Sequence, residues 1–307
     1  MHARVVPVEA NGEGQRVDNF VLRECPGVPK TRLYRAIRKG EIRVNKGRCR
    51  PDTRLKEGDE VRLPPLTVAE RSSGIAPKGW QDRLDDAVIH EDAQIIVLNK
   101  PSGLAVHGGS GLAHGMIETL RAMRPESRFL ELVHRLDRET SGLIVVAKKP
   151  AALRELHALL RAKDGMEKSY QAFVYGRWPN YLSAVEAPLE RVERKSGERV
   201  VRVAKGGKSS LTQFKLLRNV GDCSLVEARP ITGRTHQIRV HAAHVNHPIL
   251  GDAKYASPAS EEQTRALRLK RLFLHASRLR FSLSGEAFDL RAPLGKELED
   301  ALRSNSI

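Results

Sequence analysis

Asp137 stands between Arg135 and Arg138 in HRLDRETSGLIVVAKK (134–149), directly ahead of a run of strand-forming residues. An opposite charge nearby favours the ionised form of a carboxylate. An aspartate held in that way suits the work of a nucleophile or charge stabiliser and is ill suited to that of a general acid. Glycosidic hydrolysis would need a second, protonated carboxyl. Glu139 lies two residues on, and no other acid is so clearly placed. The same pattern also describes an ordinary surface Asp–Arg pair, which is the commoner occurrence and worth little. Residue types and spacing alone leave both readings open.

Three further clusters carry chemistry-bearing residues. VLNKPSGLAVHGGSG (97–111) runs from a strand end into a glycine-rich loop, a weak signal for close backbone approach to a ligand. EKSYQAFVYG (167–176) sets Tyr170 at the start of a strand, and TGRTHQIRVHAAHVNHPILGD (232–252) groups Arg234 and Arg239 with His236, His241, His244 and His247. His241 and His244 would share a helix face, but no Cys, Asp or Glu joins them before Asp252, and two arginines would oppose a cation. Hydrogen bonding is the expected role of these histidines, and no metal is expected. No GxGxxG or GxxxxGK[ST] follows a strand, so no nucleotide cofactor is expected either.

The elements that must position these residues differ along the chain. Its 307 residues hold 53 Lys+Arg against 37 Asp+Glu, a net charge of +16, which favours a polyanionic partner. The excess is concentrated between Lys30 and Lys56, where eleven basic residues meet two acids, Glu41 and Asp52. There RVDNFVLREC places Val17, Phe20 and Val21 on one helical face. TRLYRAIRKG turns Leu33, Ala36 and Ile37 inward and Arg32, Arg35 and Lys39 outward, with Gly40 at the C-cap. EIRVN, a Lys–Gly turn and DEVRLP read as short strands. Two small helices and a little sheet make a platform for phosphates. A tail over 1–13 precedes this module, and a Ser/Gly/Pro-bearing linker over 67–83 follows it.

From residue 84 to 307 strands and helices mix without a βαβ rhythm. DAQIIVLNK (92–100) and GLIVVAKK (142–149) read as buried strands, AALRELHALLRAK (151–163) as an amphipathic helix, and YQAFVYGRW, SLTQFKLL and CSLVEARPI as half-buried strands. The class is α+β around a large mixed sheet. No apolar run reaches the ~18–20 residues of a membrane helix, the N-terminus lacks a secretion signal's apolar core, and three unpatterned cysteines suggest a reducing cytoplasm.

TRLYRAIRKGEIRVNKGRCRPDTRLKEGDEV resembles the S4 RNA-binding domain, over roughly 14–66. HRLDRETSGLIVVAKK, EKSYQAFVYG and GRTHQIRVH, with VLNKPSGLAVHGGSG and HPILGDAKY, resemble in order the signature segments of the RluA-type pseudouridine synthases. Two departures are Asn246 and Ala256, where that family usually has glycine. The resemblance implies an S4-like domain followed by a synthase domain with a mixed, largely antiparallel sheet and flanking helices. It implies Asp137 as the essential carboxylate, Tyr170 against the target uracil and as base for the C5 proton, and Arg239 paired with Asp137. It implies Arg135 filling the gap left by a flipped uridine. Attack by the carboxylate at C1′ and proton abstraction from C2′ both remain open. The basic residues Lys30, Arg32, Arg35, Arg38, Lys39, Arg43 and Lys46 are expected to bind RNA. The expected activity is cofactor-free uridine isomerisation in large-subunit ribosomal RNA, by a monomer with no membrane partner. The same chemistry on tRNA, and a non-catalytic RNA-binding assembly factor, are the alternatives.

Overall fold

Val17, Phe20 and Val21 are buried along α1 (Val17–Glu24), as their i, i+3, i+4 spacing requires. In the computed structural model the described residues are 3–9, 12–25, 28–66, 78–108, 115–127, 129–162, 165–193 and 198–303, and the chain divides into units Met1–Ile75 and Ala76–Ile307. In the first unit α2 (Lys30–Lys39) buries Leu33, Ala36 and Ile37 and ends at Gly40, whose φ of 70° is the left-handed C-cap that glycine suits. Strands β1 (Arg4–Pro7), β2 (Arg43–Val44), β3 (Gly47–Arg48) and β4 (Glu60–Leu63) form an antiparallel sheet in the order β1–β4–β2–β3.

Two expectations are corrected here. The N-terminal tail carries an edge strand, with Arg4 opposite Leu63 and Pro7 opposite Glu60. The β2–β3 turn is centred on Asn45 and Lys46 (φ 48° and 64°), one residue before the expected Lys–Gly pair. A tight hairpin of this kind needs positive φ at both central residues, and Asn accepts it well. The Asn45 side chain also locks the turn, donating to Asp59 and accepting from the Glu60 N–H, each at 2.8 Å.

The second unit opens on α3 (Lys78–Asp85), followed by β5 (Val88–Glu91), β6 (Ile95–Lys100), α4 (Met116–Met123), β7 (Glu131–Leu132), β8 (Ser141–Ala147) and α5 (Pro150–Arg161). Then come β9 (Met166–Tyr175), β10 (Ala184–Glu186), β11 (Leu189–Glu193), β12 (Arg199–Val203), β13 (Leu211–Val220) and β14 (Cys223–Pro230). The chain continues through α6 (Gln237–His244), α7 (Pro258–Ala266), β15 (Leu274–Leu283), β16 (Glu286–Arg291) and α8 (Lys296–Arg303). Residues 78–83 of the expected linker are therefore helical, with Leu84 buried and Trp80 packed against the core; residues 67–77 lie outside the described ones.

Ten strands form one sheet, ordered β10–β13–β14–β9–β15–β8–β6–β5, with β16 added on β15 and β7 on β8. The β15–β8 pairing is parallel and the others antiparallel, so the sheet is mixed. β6 and β8 are apolar almost throughout because helices cover both faces. Ile96, Leu98, Ile144 and Val146 belong to one buried cluster with apolar residues of α4 and α8, while Ile95, Val97, Leu143 and Val145 belong to another with residues of α5. β14 is buried along Cys223–Val226 and does not alternate, because Ser224 lies under the Gly176–Trp178 chain and bonds to it. Between β8 and β15, Gly142 (φ 109°) is so close that a Cβ there would overlap the Ala276 backbone.

Candidate active site

Asp137 lies in the loop between β7 and β8, in a turn closed by the Thr140 N–H donating to the Asp137 carbonyl at 3.1 Å. Its carboxylate faces a cleft of about 350 Å³, whose walls include Arg135, Tyr170, Arg191, His236 and Arg239. The three residues expected to act together, 33 and 69 positions apart in sequence, thus share one cleft. Tyr170 enters from β9, where its cross-strand partners are Ala228 of β14 and Ala276 of β15. Both partners are small, and the Tyr170 side chain is itself buried. Arg135 is exposed at the same cleft.

Arg239 comes from α6 and is buried. The resemblance implied that it pairs with Asp137, but its two-pronged contact is with another acid. Nε and Nη2 donate to Asp252 Oδ2 and Oδ1 at 2.8 and 2.7 Å, and Nη1 faces Asp137 Oδ2 at 3.5 Å. This fork-to-fork geometry is the strong form of the Arg–carboxylate pair. Burial opposes the Arg239 charge, but Asp252 first and Asp137 next outweigh it, so the guanidinium is held more firmly protonated than usual. Asp252 Oδ1 also accepts from the N–H groups of Lys254 and Tyr255 at 2.9 and 3.2 Å.

Electrostatics separates the groups of the cleft. Burial, and then Asp137, push the Tyr170 phenol above its ordinary range, so the resident form is neutral. Burial also lowers Lys168 on the cleft wall. It draws His134 down to about 3, and His134 Nε2 accepts from the Val145 N–H at 3.3 Å. His236 is likewise lowered by burial, with Asp137 opposing.

Three of the four histidines bond to protein groups. His236 Nδ1 meets the Tyr255 hydroxyl at 2.7 Å, His241 Nε2 meets Ser210 Oγ at 2.9 Å, and His247 Nδ1 meets the Tyr175 carbonyl at 2.9 Å. Asn246 adopts φ 64°, the conformation glycine would otherwise supply and asparagine tolerates. Nothing in the structure explains Ala256. The described part of the glycine-rich loop props the Asp137 turn from behind. Ser102 Oγ donates to the Glu139 carbonyl at 2.7 Å and the Gly103 N–H to the Arg138 carbonyl at 2.9 Å; residues 109–111 lie outside the described ones. Sequence reasoning missed Asp252, Lys100 and Tyr255. The signals available were an Asp in GDAKY and a lysine ending an apolar strand.

In the first unit Arg35, Arg38, Lys39 and Lys46 are exposed. Arg32 is paired with Glu41 at 2.8 Å, and Arg43 donates to the Gly40 and Lys46 carbonyls at 3.0 and 3.2 Å. The Lys30 side chain lies outside the described residues.

Residues 94–244 match the RNA pseudouridylate synthase family and residues 15–61 the S4 domain. Over 99% of its length the chain is 50% identical to the ribosomal large subunit pseudouridine synthase C of Yersinia pestis, covering 97% of that relative. The chain belongs to the RNA pseudouridylate synthase family. The synthase is also 50% identical to the protein of the same name from Escherichia coli K12, over 98% of its own length and 96% of the relative. Among solved structures, human RNA pseudouridylate synthase domain containing 4 matches it with a TM-score of 0.59 at 26% identity, over 73% of this chain and 95% of that one. The expected activity, pseudouridine synthesis, is thus established, and so is the two-part organisation with an S4 domain ahead of the synthase domain.

Proposed function

We propose that this synthase isomerises uridines of large-subunit ribosomal RNA, with Asp137 as the catalytic carboxylate. The observation that carries the reading is the placement of Asp137. Its Oδ2 faces a buried guanidinium, and it shares a cleft with the Tyr170 ring. Isomerisation breaks the C1′–N1 bond, turns the uracil and rejoins it through C5, so the base leaves the helix stack and enters the cleft. The Tyr170 ring offers a flat face for the uracil. A base role for its hydroxyl would require a phenolate, which burial and Asp137 both oppose. Arg135 fills the gap the uridine leaves, a role supported by its exposure at the cleft. The large-subunit substrate rests on relatives of that name that match nearly end to end.

The first unit supplies phosphate contacts through Arg35, Arg38, Lys39 and Lys46. Among the described residues no helix is long and apolar enough to cross a membrane. The same reading takes the protein to act as a monomer in the cytoplasm, without a cofactor.

The test is incubation of labelled large-subunit rRNA with the protein and with Asp137→Asn. The parent should form pseudouridine. The variant should form none while its RNA affinity stays within a few-fold. Pseudouridine formed by the Asn variant would overturn the assignment of Asp137. Conversion of tRNA alone would overturn the substrate, and release of free uracil would mark a hydrolase.

A further inference from the structure

Among the described residues, the Arg239 and His236 side chains both approach Asp137 at one oxygen: Arg239 Nη1 stands 3.5 Å and His236 Nε2 3.8 Å from Oδ2. We infer that His236 is a positioning residue which, with Arg239, fixes Oδ2 of Asp137 and leaves Oδ1 as the oxygen presented to the nucleoside. The inference rests on Asp137 being the catalytic carboxylate.

The backbone of His236 is the first support. It sits at φ 53°, ψ 19° just before α6, and its side chain makes no capping bond there. A non-glycine residue in this left-handed region is uncommon and is held there by its surroundings, a form of strain that gathers at functional sites.

The ring is then oriented from behind. Tyr255 Oη accepts from the Val201 N–H at 3.0 Å and stands 2.7 Å from His236 Nδ1, with the two rings edge to face at 5.6 Å. With one lone pair so engaged, the hydroxyl still has its own hydrogen to donate to Nδ1, and in that arrangement the ring's hydrogen sits on Nε2, toward Oδ2. Burial keeps the ring neutral, so it adds an N–H at Asp137 without adding a second cation.

Asp252 connects the two arms. It grips Arg239 through two hydrogen bonds and holds the Tyr255 N–H, while the Arg239 guanidinium lies over the Tyr255 ring at 5.1 Å. Asp252, Arg239, Tyr255 and His236 therefore make one frame around a single carboxylate oxygen. Contacts in catalytic sites are often long before substrate binds and tighten in the complex.

Two variants of the full-length protein separate positioning from mere support. Asparagine suits left-handed backbone and places its amide where Nδ1 was, near Tyr255 and short of Asp137. Glutamine places an amide N–H where Nε2 was. His236→Asn should unfold at the parent's temperature or above and bind large-subunit rRNA within a few-fold, yet lose about 10- to 100-fold in single-turnover rate through misplacement of Asp137. His236→Gln should recover most of that rate, despite a less suitable backbone preference. Equal rates for the two variants, whether both high or both low, would overturn the inference, as would a parental rate for His236→Asn. Asp137→Asn runs alongside. Activity in that variant overturns the reading of Asp137 itself, whereas an inactive Asp137→Asn beside a fully active His236→Asn overturns the role of His236 alone.

Discussion

Lys100 Nζ and the carbonyl of Arg138 stand 3.1 Å apart, a hydrogen bond that ties the end of β6 to the chain one residue past Asp137. The same ammonium donates to the carbonyls of Pro101 and Leu104, each at 2.9 Å. A buried lysine thus gathers three carbonyls behind the Asp137 turn.

Burial draws Lys100 down to about 7, with Glu139 and Asp137 opposing and Arg271 adding to the fall. The ordinary lysine value is 10.5, so between those limits the unfolded chain binds this proton more tightly than the folded one does. This group's contribution to stability therefore rises as pH rises through that window and is constant below it. Comparing the parent with Lys100→Met by urea unfolding at pH 6, 7.5 and 9 isolates the effect. The difference should move in the parent's favour above pH 7, by up to about 1.4 kcal/mol per pH unit. A difference independent of pH would show that Lys100 keeps its proton throughout.

Asp252 and Arg239 form a buried pair, and removing one charge leaves the other without its partner. Asp252→Asn should destabilise the fold by about 3–5 kcal/mol, read from urea unfolding. The exposed pair Arg202–Glu190, at 3.2 Å, serves as the contrast. Glu190→Gln should move stability by no more than about 1 kcal/mol. Similar small effects at both positions would mean that Asp252 is replaceable in holding Arg239.

The legible parts of this molecule are those where burial writes a period into the chain. α1 shows Val17, Phe20 and Val21 on one face, and the run GLIVV of β8 marks a strand covered on both sides. Polar tertiary contacts write no such period. Lys100 and Arg138 are 38 residues apart, and Arg239 and Asp252 are 13 apart across the end of a helix. Spacing alone left Asp137 indistinguishable from a surface acid; the resemblance of several ordered segments singled it out. That resemblance paired Arg239 with Asp137, a contact present at 3.5 Å, but gave no sign of the two-pronged bond to Asp252, because the geometry of a guanidinium fork depends on which carboxylate can lie coplanar with it. β1 was unreadable for a different reason: four residues at a sheet edge are too few, and too exposed, to show alternation.

Tyr170 separates ring from hydroxyl. Tyr170→Phe keeps the flat face between Ala228 and Ala276 and removes the oxygen. If the hydroxyl takes the C5 proton, tritium release from 5-tritiated uridine in a single turnover should fall by about 10²–10⁴-fold. The neutral resident phenol predicts the milder outcome, with release retained in Phe and lost in Tyr170→Leu. The Leu variant should also bind RNA more weakly by about 1–3 kcal/mol, the worth of one base–aromatic stack. Abolished release in the Phe variant would restore the base role.

Arg35 and Arg38 project from the exposed face of α2, one turn apart, with Tyr34 and Pro51 beside them around a shallow hollow. Leu33, Ala36 and Ile37 on the opposite face hold the helix to its own core, so the two arginines are replaceable without disturbing the fold. Alanine at both positions should leave the unfolding temperature unchanged and weaken binding of large-subunit rRNA. The diagnostic is salt dependence. Each neutralised phosphate releases condensed counterions, so the slope of log affinity against log salt should flatten by about one for each phosphate that is no longer gripped. Weaker binding with an unchanged slope would mean that the arginines shape the surface without touching phosphate. Unchanged binding would move the RNA-gripping role of this unit to Lys39 and Lys46. Because the cleft residues are untouched, the single-turnover rate at saturating RNA should stay at the parent's value, and the weakening should appear in the RNA concentration needed for half-saturation.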